Sequence, residues 1–115
     1  MTKNDTKSGG SLSPAKPYRL ENVVDYAEGS VVSRTITKKE TGTMTLFAFD
    51  AGQELSEHSA PFDAMVQVLD GEVELVIGGE TVIAKAGETV VMPADIPHAV
   101  RAVNRFKMLL TMIRG

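Results

Sequence analysis

Residues 64 to 85 read Ala64-Met-Val-Gln-Val-Leu69, Asp70-Gly71, Glu72-Val-Glu-Leu-Val-Ile77, Gly78-Gly79 and Glu80-Thr-Val-Ile-Ala-Lys85. Ala64, Val66 and Val68 stand two apart, the spacing of a strand that sends alternate side chains to one face. Gly78-Gly79 between two β-type runs is a two-residue hairpin signal. Working outward, further short runs rich in β-branched and apolar residues cover Val31 to Lys38, Thr43 to Asp50, Thr89 to Met92, Ala99 to Val103 and Phe106 to Ile113. Strands are thus expected at 31–38, 43–50, 64–69, 72–77, 81–85, 89–92, 99–103 and 106–113. Val23 to Ala27 fits either a strand or a helical turn. Many short strands separated by turn residues, with no convincing helical stretch, predict an all-β sandwich or barrel.

The 115 residues suffice for one domain, with 43% hydrophobic residues to fill a single core. Residues 1–17 are rich in Ser, Gly, Lys and Pro and are expected to be a disordered tail, leaving 18–115 as the folded domain. The chain has no cysteine, which excludes disulfides, thiolate metal sites and thiol nucleophiles. The net charge is -3 with no basic block, so no nucleic-acid partner is expected. No apolar run reaches membrane-spanning length, and the first residues lack the hydrophobic region of a secretory signal, so no membrane association and a cytoplasmic location are expected.

Only two histidines occur, His58 and His98. Each lies in a segment punctuated by glycine or proline: Gly52-Gln-Glu-Leu-Ser-Glu-His58-Ser-Ala60, running on to Gly71, and Gly87-Glu-Thr-Val-Val-Met-Pro93-Ala-Asp-Ile-Pro97-His98. An antiparallel barrel that brings these segments together points both imidazoles at one cavity. Imidazole is a common metal ligand and a ready proton carrier near neutral pH. Pro93 and Pro97 would fix the loop that delivers His98.

Together the two segments resemble the two conserved motifs of the cupin superfamily. Gly52, His58 and Gly71 match the first motif, with Leu69-Asp70-Gly71-Glu72 as the turn that closes it; Gly87, Pro93 and His98 match the second. The resemblance covers roughly residues 42 to 103 and implies a double-stranded β-helix of jelly-roll type. Cupin enzymes usually hold one divalent metal with three histidines and a glutamate. Here the second histidine of the first motif is Ala60 and its glutamate is Ala64. The glycine of the second motif is Asp95, and its closing asparagine is Ala102. Two of the four ligands implied by the resemblance remain.

Metal sites generally use three protein donors. His58 and His98 are therefore joined by Asp63 as a ligand only if a β-bulge shifts the register by one residue. Glu57, beside His58, is the residue to watch as an outer partner of the ring. The expected pocket comprises His58, Ala60, Ala64, Val66, Met92, His98, Val100 and Ala102, with some of Met44, Met65, Met108 and Met112 also facing in. Arg101 and Arg105 are expected outside, and Arg34 near a pocket mouth.

Three functional readings follow. The first is a small-molecule-binding cupin with a degenerate two-histidine site and no resident metal. The second is a divalent-metal-dependent enzyme (a dioxygenase, decarboxylase or isomerase) using His58 and His98 with one zinc, nickel, iron or manganese ion. The third is a regulatory or sensory cupin that acts through a protein partner. In each, the resemblance and the open edges of a short jelly roll imply a homodimer, with residues 18–38 as the segment expected to cross between subunits.

Overall fold

The structure, a computed structural model, describes residues 12–114. Residues 1–11, most of the segment expected to be a disordered tail, lie outside the described residues. The described chain forms a 3-10 turn, Leu20–Asn22, and eight strands: β1 (Val31–Lys39), β2 (Gly42–Phe49), β3 (Glu54–His58), β4 (Asp63–Ile77), β5 (Glu80–Lys85), β6 (Thr89–Met92), β7 (His98–Arg101) and β8 (Phe106–Ile113). They pair in the order β1-β2-β8-β4-β7-β3, with β5 and β6 also paired to β4. Every pairing is antiparallel. The result is an all-β, jelly-roll barrel.

The expected strands 64–69 and 72–77 are one strand, β4, and Leu69-Asp70-Gly71-Glu72 is a bend in it rather than a closing turn. The first half of β4 pairs with β8 and β6, and the second half with β5 and β7. A bulge between Val68 and Asp70 and a left-handed Gly71 (φ 73°) turn the strand from one sheet into the other. Pairing continues through the corner: Asp70 opposes Lys107, Gly71 opposes Phe106 and Glu72 opposes Lys85. A bulge raises local twist and bends its strand, which is how one chain segment serves two sheets. The expected hairpin at Gly78-Gly79 is present, with φ values of 57° and 85° that suit a primed turn.

The alternation expected in β4 holds. Ala64, Val66 and Val68 are 4%, 0% and 2% exposed and face the barrel interior. They join Phe49, Val73, Leu75, Ala84, Met92, Val100, Ala102, Phe106 and Met108 in the main core. Phe49 and Phe106 stack there at 4.6 Å between ring centroids.

A second cluster covers the outer face of β1, β2 and β8. Leu46, Ala48 and Leu109 are buried there beneath Val24, with Leu12, Leu20, Val23 and Tyr26 packed against them. Along β2, odd positions Phe47 and Phe49 enter the barrel while even positions Leu46 and Ala48 meet the N-terminal segment. Burial of both faces explains why this strand is an unbroken apolar run.

Val23 to Ala27, read as strand or helical turn, is neither. Side chains supply partners for this segment's polar groups instead of a ladder. Lys107, only 9% exposed, donates to the Glu21 carbonyl at 2.5 Å and lies 4.8 Å from the Tyr26 ring centroid. The Tyr26 hydroxyl donates to Asp70 at 2.5 Å, and Arg34 donates to the Val23 carbonyl at 3.5 Å. Burial first, and the Asp70 carboxylate second, push the Tyr26 phenol well above its ordinary pKa.

Asp50 follows β2 and accepts from Arg105 Nε at 2.8 Å and from the Gly29 amide at 2.6 Å. These bonds, Arg105 foremost, lower its pKa from 3.8 to about 2. A depressed carboxyl pKa contributes stability above the unfolded value and loses it as pH falls through the folded one. Acid titration of urea stability should therefore show a loss between pH 3.8 and about 2. That slope should flatten in Asp50→Asn.

At Gly71 an added Cβ would lie 2.2 Å from the Arg105 carbonyl oxygen, in a backbone conformation L side chains avoid. Gly71→Ala should cost about 2 kcal/mol or more in urea unfolding. Full stability in that variant would show that the corner can relax.

Candidate functional site

His58 ends β3 and His98 begins β7, and the two residues oppose each other directly in the β3–β7 ladder. Cross-strand partners project from the same face. The two rings accordingly meet edge to face, with centroids 4.5 Å apart and planes inclined at 66°. A bulge between Leu55 and His58 sets this register. Strand β3 was absent from the expected strands because Leu55 is the one apolar residue in Glu54–His58, too few for a period. Its pairing with β7 supplies the order that its own sequence does not.

Each ring is anchored in the same way. His58 Nδ1 lies 2.8 Å from the Ser56 carbonyl oxygen, and His98 Nδ1 lies 3.2 Å from that of Ile96. A carbonyl oxygen only accepts, so Nδ1 is the donor in both bonds. The neutral ring then carries its lone pair on Nε2. No described residue offers a hydrogen bond to either Nε2. His98 is 7% exposed, whereas His58 is exposed at the rim.

Both rings face a cavity of about 160 Å³ inside the barrel. Its walls are Phe47, Leu55, Ala64 and Val100, and Met92, Met108, Leu110 and Met112 complete it. The imidazoles are the only polar side chains among the described lining residues. The stacked pair Phe49 and Phe106 fills the Gly71 end of the barrel, so the cavity lies toward the opposite end. A larger depression of about 350 Å³ opens to solvent beside the β1–β2 turn, but it contains neither histidine.

Of the expected pocket residues, the structure brings His58, Ala64, Met92, His98 and Val100 to the cavity wall. Val66 and Ala102 are instead packed in the filled core, and Ala60 lies outside the lining. The Ala60 carbonyl accepts from the Asp95 amide at 2.8 Å, so its backbone braces the loop before His98. The sequence reading did not assign Phe47, Leu55 and Leu110. Register between strands distant in sequence places them there.

Asp63 is a correction. The bulge that would turn it inward is absent, since Asp63 opposes Ile113 and Ala64 opposes Met112 in unbroken register. Its carboxylate accepts from the Ala94 amide at 3.0 Å and so ties down the loop that carries Pro93 and Pro97. Asp95, at the motif's glycine position, keeps a left-handed backbone (φ 66°) that aspartate tolerates better than most residues. Glu57 is exposed, and His58 turns to the Ser56 carbonyl rather than to it. Arg101 and Arg105 do face outward, in ion pairs with Glu74 at 3.3 Å and Asp50 at 2.8 Å. Arg34 lies against the N-terminal segment, away from the cavity.

A resident metal does not fit this donor set. Catalytic zinc and non-heme iron centres take three protein donors. Among the described residues no group of three or more His, Asp, Glu or Cys side chains could share an ion. Alanines 60 and 64 stand where the cupin resemblance places further ligands, and Asp63 is turned away.

Comparison with known proteins follows the same lines. A profile of the cupin domain matches residues 45–113. A conserved protein of unknown function from Streptococcus pyogenes is 38% identical, with 95% of this chain and 96% of that one covered and a TM-score of 0.88. A cupin 2 conserved barrel domain protein from Leptotrichia buccalis is 44% identical over 84% of this chain and 47% of its own, with a TM-score of 0.81. A cupin superfamily protein from Desulfitobacterium hafniense, 23% identical with a TM-score of 0.86, shares the fold. No curated protein matches the chain. Among the described residues no helix is long and apolar enough to cross a membrane.

Asp63→Ala should remove one charge-assisted bond to the loop, at about 1 to 2 kcal/mol. Hydrogen exchange at the Ala94 amide should accelerate. Unchanged exchange there would mean that the prolines alone hold the loop.

Proposed function

Because the chain belongs to the cupin-domain family, we propose that it is a small-molecule-binding cupin whose ligand seats in the barrel cavity beside His58 and His98 and which works without a resident metal. One observation carries this reading: a benzene-sized apolar cavity in which two backbone-anchored imidazoles are the only polar side chains among the described lining residues. A compact apolar cavity with a few convergent polar groups is the general form of a small-molecule site. A cavity of roughly 150 Å³ accepts a molecule such as benzene.

The division of labour follows from the wall. Phe47, Val100, Met108 and Leu110 strip water from an apolar ligand and supply the contact surface. Met92 and Met112 adapt to its shape, since an unbranched thioether fills irregular gaps. The imidazoles orient the ligand's polar end at the mouth. The small volume limits affinity: even the best tiny ligands gain about 1.5 kcal/mol per non-hydrogen atom. For a ligand of six or seven such atoms the ceiling is about 9 to 10 kcal/mol, so binding no tighter than tens of nanomolar is expected.

Two measurements test this reading. Ala64→Leu should fill the cavity from β4, weakening fragment binding at least about tenfold while keeping the fold, because the added volume enters existing space. Binding unchanged in that variant would place the ligand elsewhere. Elemental analysis of untagged protein, beside His58→Ala/His98→Ala, should find metal well below one ion per chain in both. A near-stoichiometric ion in the wild type, lost from the double variant, would make the metal-dependent enzyme the better reading.

A further inference from the structure

We infer that the cavity selects an uncharged, benzene-sized molecule bearing a hydroxyl that donates a hydrogen bond to His98 Nε2, with phenol as its simplest form, and that it discriminates against carboxylates. The inference rests on the proposal that this cavity is the ligand site.

It begins with the proton positions. Both Nδ1 atoms donate to carbonyl oxygens of their own loops, Ser56 for His58 and Ile96 for His98. In the neutral rings each Nε2 is therefore an acceptor, and the backbone bonds hold this tautomer. The two acceptors are not equivalent. His58 is exposed at the rim, where solvent can reach it, whereas His98 is 7% exposed. His98 Nε2 has no protein donor among the described residues, and every other lining side chain is aliphatic, aromatic or thioether. A ligand that fills the cavity shields this acceptor from water, which is costly unless the ligand brings a donor, so the cavity favours one that does.

The same geometry disfavours an anion. Against the neutral ring, a carboxylate offers only acceptors and would set them against the His98 lone pair. No lysine or arginine is among the described lining residues to compensate its charge, and an uncompensated buried anion is strongly penalised. An aromatic hydrocarbon fits the volume but leaves His98 Nε2 unsatisfied. A phenol meets both demands, with its ring against Phe47, Val100 and Met108 and its hydroxyl toward His98. Discrimination of this kind is large because the protein's own polar group is left unpaired by the wrong ligand.

Phenol, toluene and benzoate, similar in ring size, separate the possibilities when titrated into the full chain in mildly alkaline buffer by calorimetry or amide NMR. Phenol should bind about tenfold or more tightly than toluene, the ratio expected for one buried hydrogen bond, and benzoate should bind more weakly still. In His98→Phe, which keeps a ring but removes the acceptor, phenol should lose its advantage over toluene; in His58→Ala the order should persist. If His98→Phe fails to fold, the wild-type ranking decides alone. Toluene equal to phenol, or benzoate tighter than phenol, would overturn the hydroxyl inference and leave the small-molecule cavity standing. No saturable binding by any of the three at millimolar concentration would overturn the cavity reading itself.

Discussion

The architecture depends on one strand that belongs to two sheets. β4 runs for 15 residues, paired on both edges over Ala64–Gln67 and again over Glu74–Ile77, and changes sheets at Gly71. Its corner requires three things at once: an extra residue between Val68 and Asp70, a left-handed backbone, and no side chain where the Arg105 carbonyl passes. Only glycine satisfies the last two together. From this corner the first half of β4 presents Ala64 to the cavity, while the second half presents Val73 and Leu75 to the filled core.

The barrel is thereby divided along its length. At the corner end, large rings and branched aliphatics pack without space, with Phe49 and Phe106 stacked at the centre. At the other end, Ala64 gives little volume where the family resemblance expects a longer side chain. The walls there are methionines and leucines around an opening. A filled half gives the rigidity on which an open half can hold its shape, because packed interiors resist deformation. The N-terminal segment adds to that rigidity from outside. Tyr26, Asp70 and Lys107 bind it to β4 and β8, on the opposite face of the sheet from the cavity.

Around the two histidines, the loops act as supports rather than as ligands. Asp63 holds the Ala94 amide, Ala60 holds the Asp95 amide, and the carbonyls of Ser56 and Ile96 hold the rings. These contacts turn a motif associated with metal coordination into a pair of oriented acceptors. With alanine at positions 60 and 64, the two imidazoles stand with both Nδ1 atoms turned to backbone carbonyls, the arrangement on which the proposed ligand site is built.

Much of this was legible in the chain itself, and the limit has a physical cause. Strand positions, the Gly78-Gly79 hairpin and the inward set Ala64, Val66 and Val68 follow from short-range rules, the period of two and the stereochemistry of turns, which each segment carries alone. The glycines, prolines and histidines of the two motifs carried the fold class and the pairing of His58 with His98. Continuity of β4 was hidden because Asp70-Gly71 looks like a turn when read locally and becomes a bend only when β8 and β5 pair across it. Strand β3 was hidden because its order comes from β7. The same holds within the site. Sequence named Ala64, Met92 and Val100 for the wall, but register between distant strands placed Phe47 and Leu110 there, packed Val66 and Ala102 into the core, and turned Asp63 toward a backbone amide. Local sequence determined most of the strands and the alternation of their faces; tertiary pairing decided β3, the continuity of β4 and which faces meet, because register is a contact between segments and neither segment encodes it by itself.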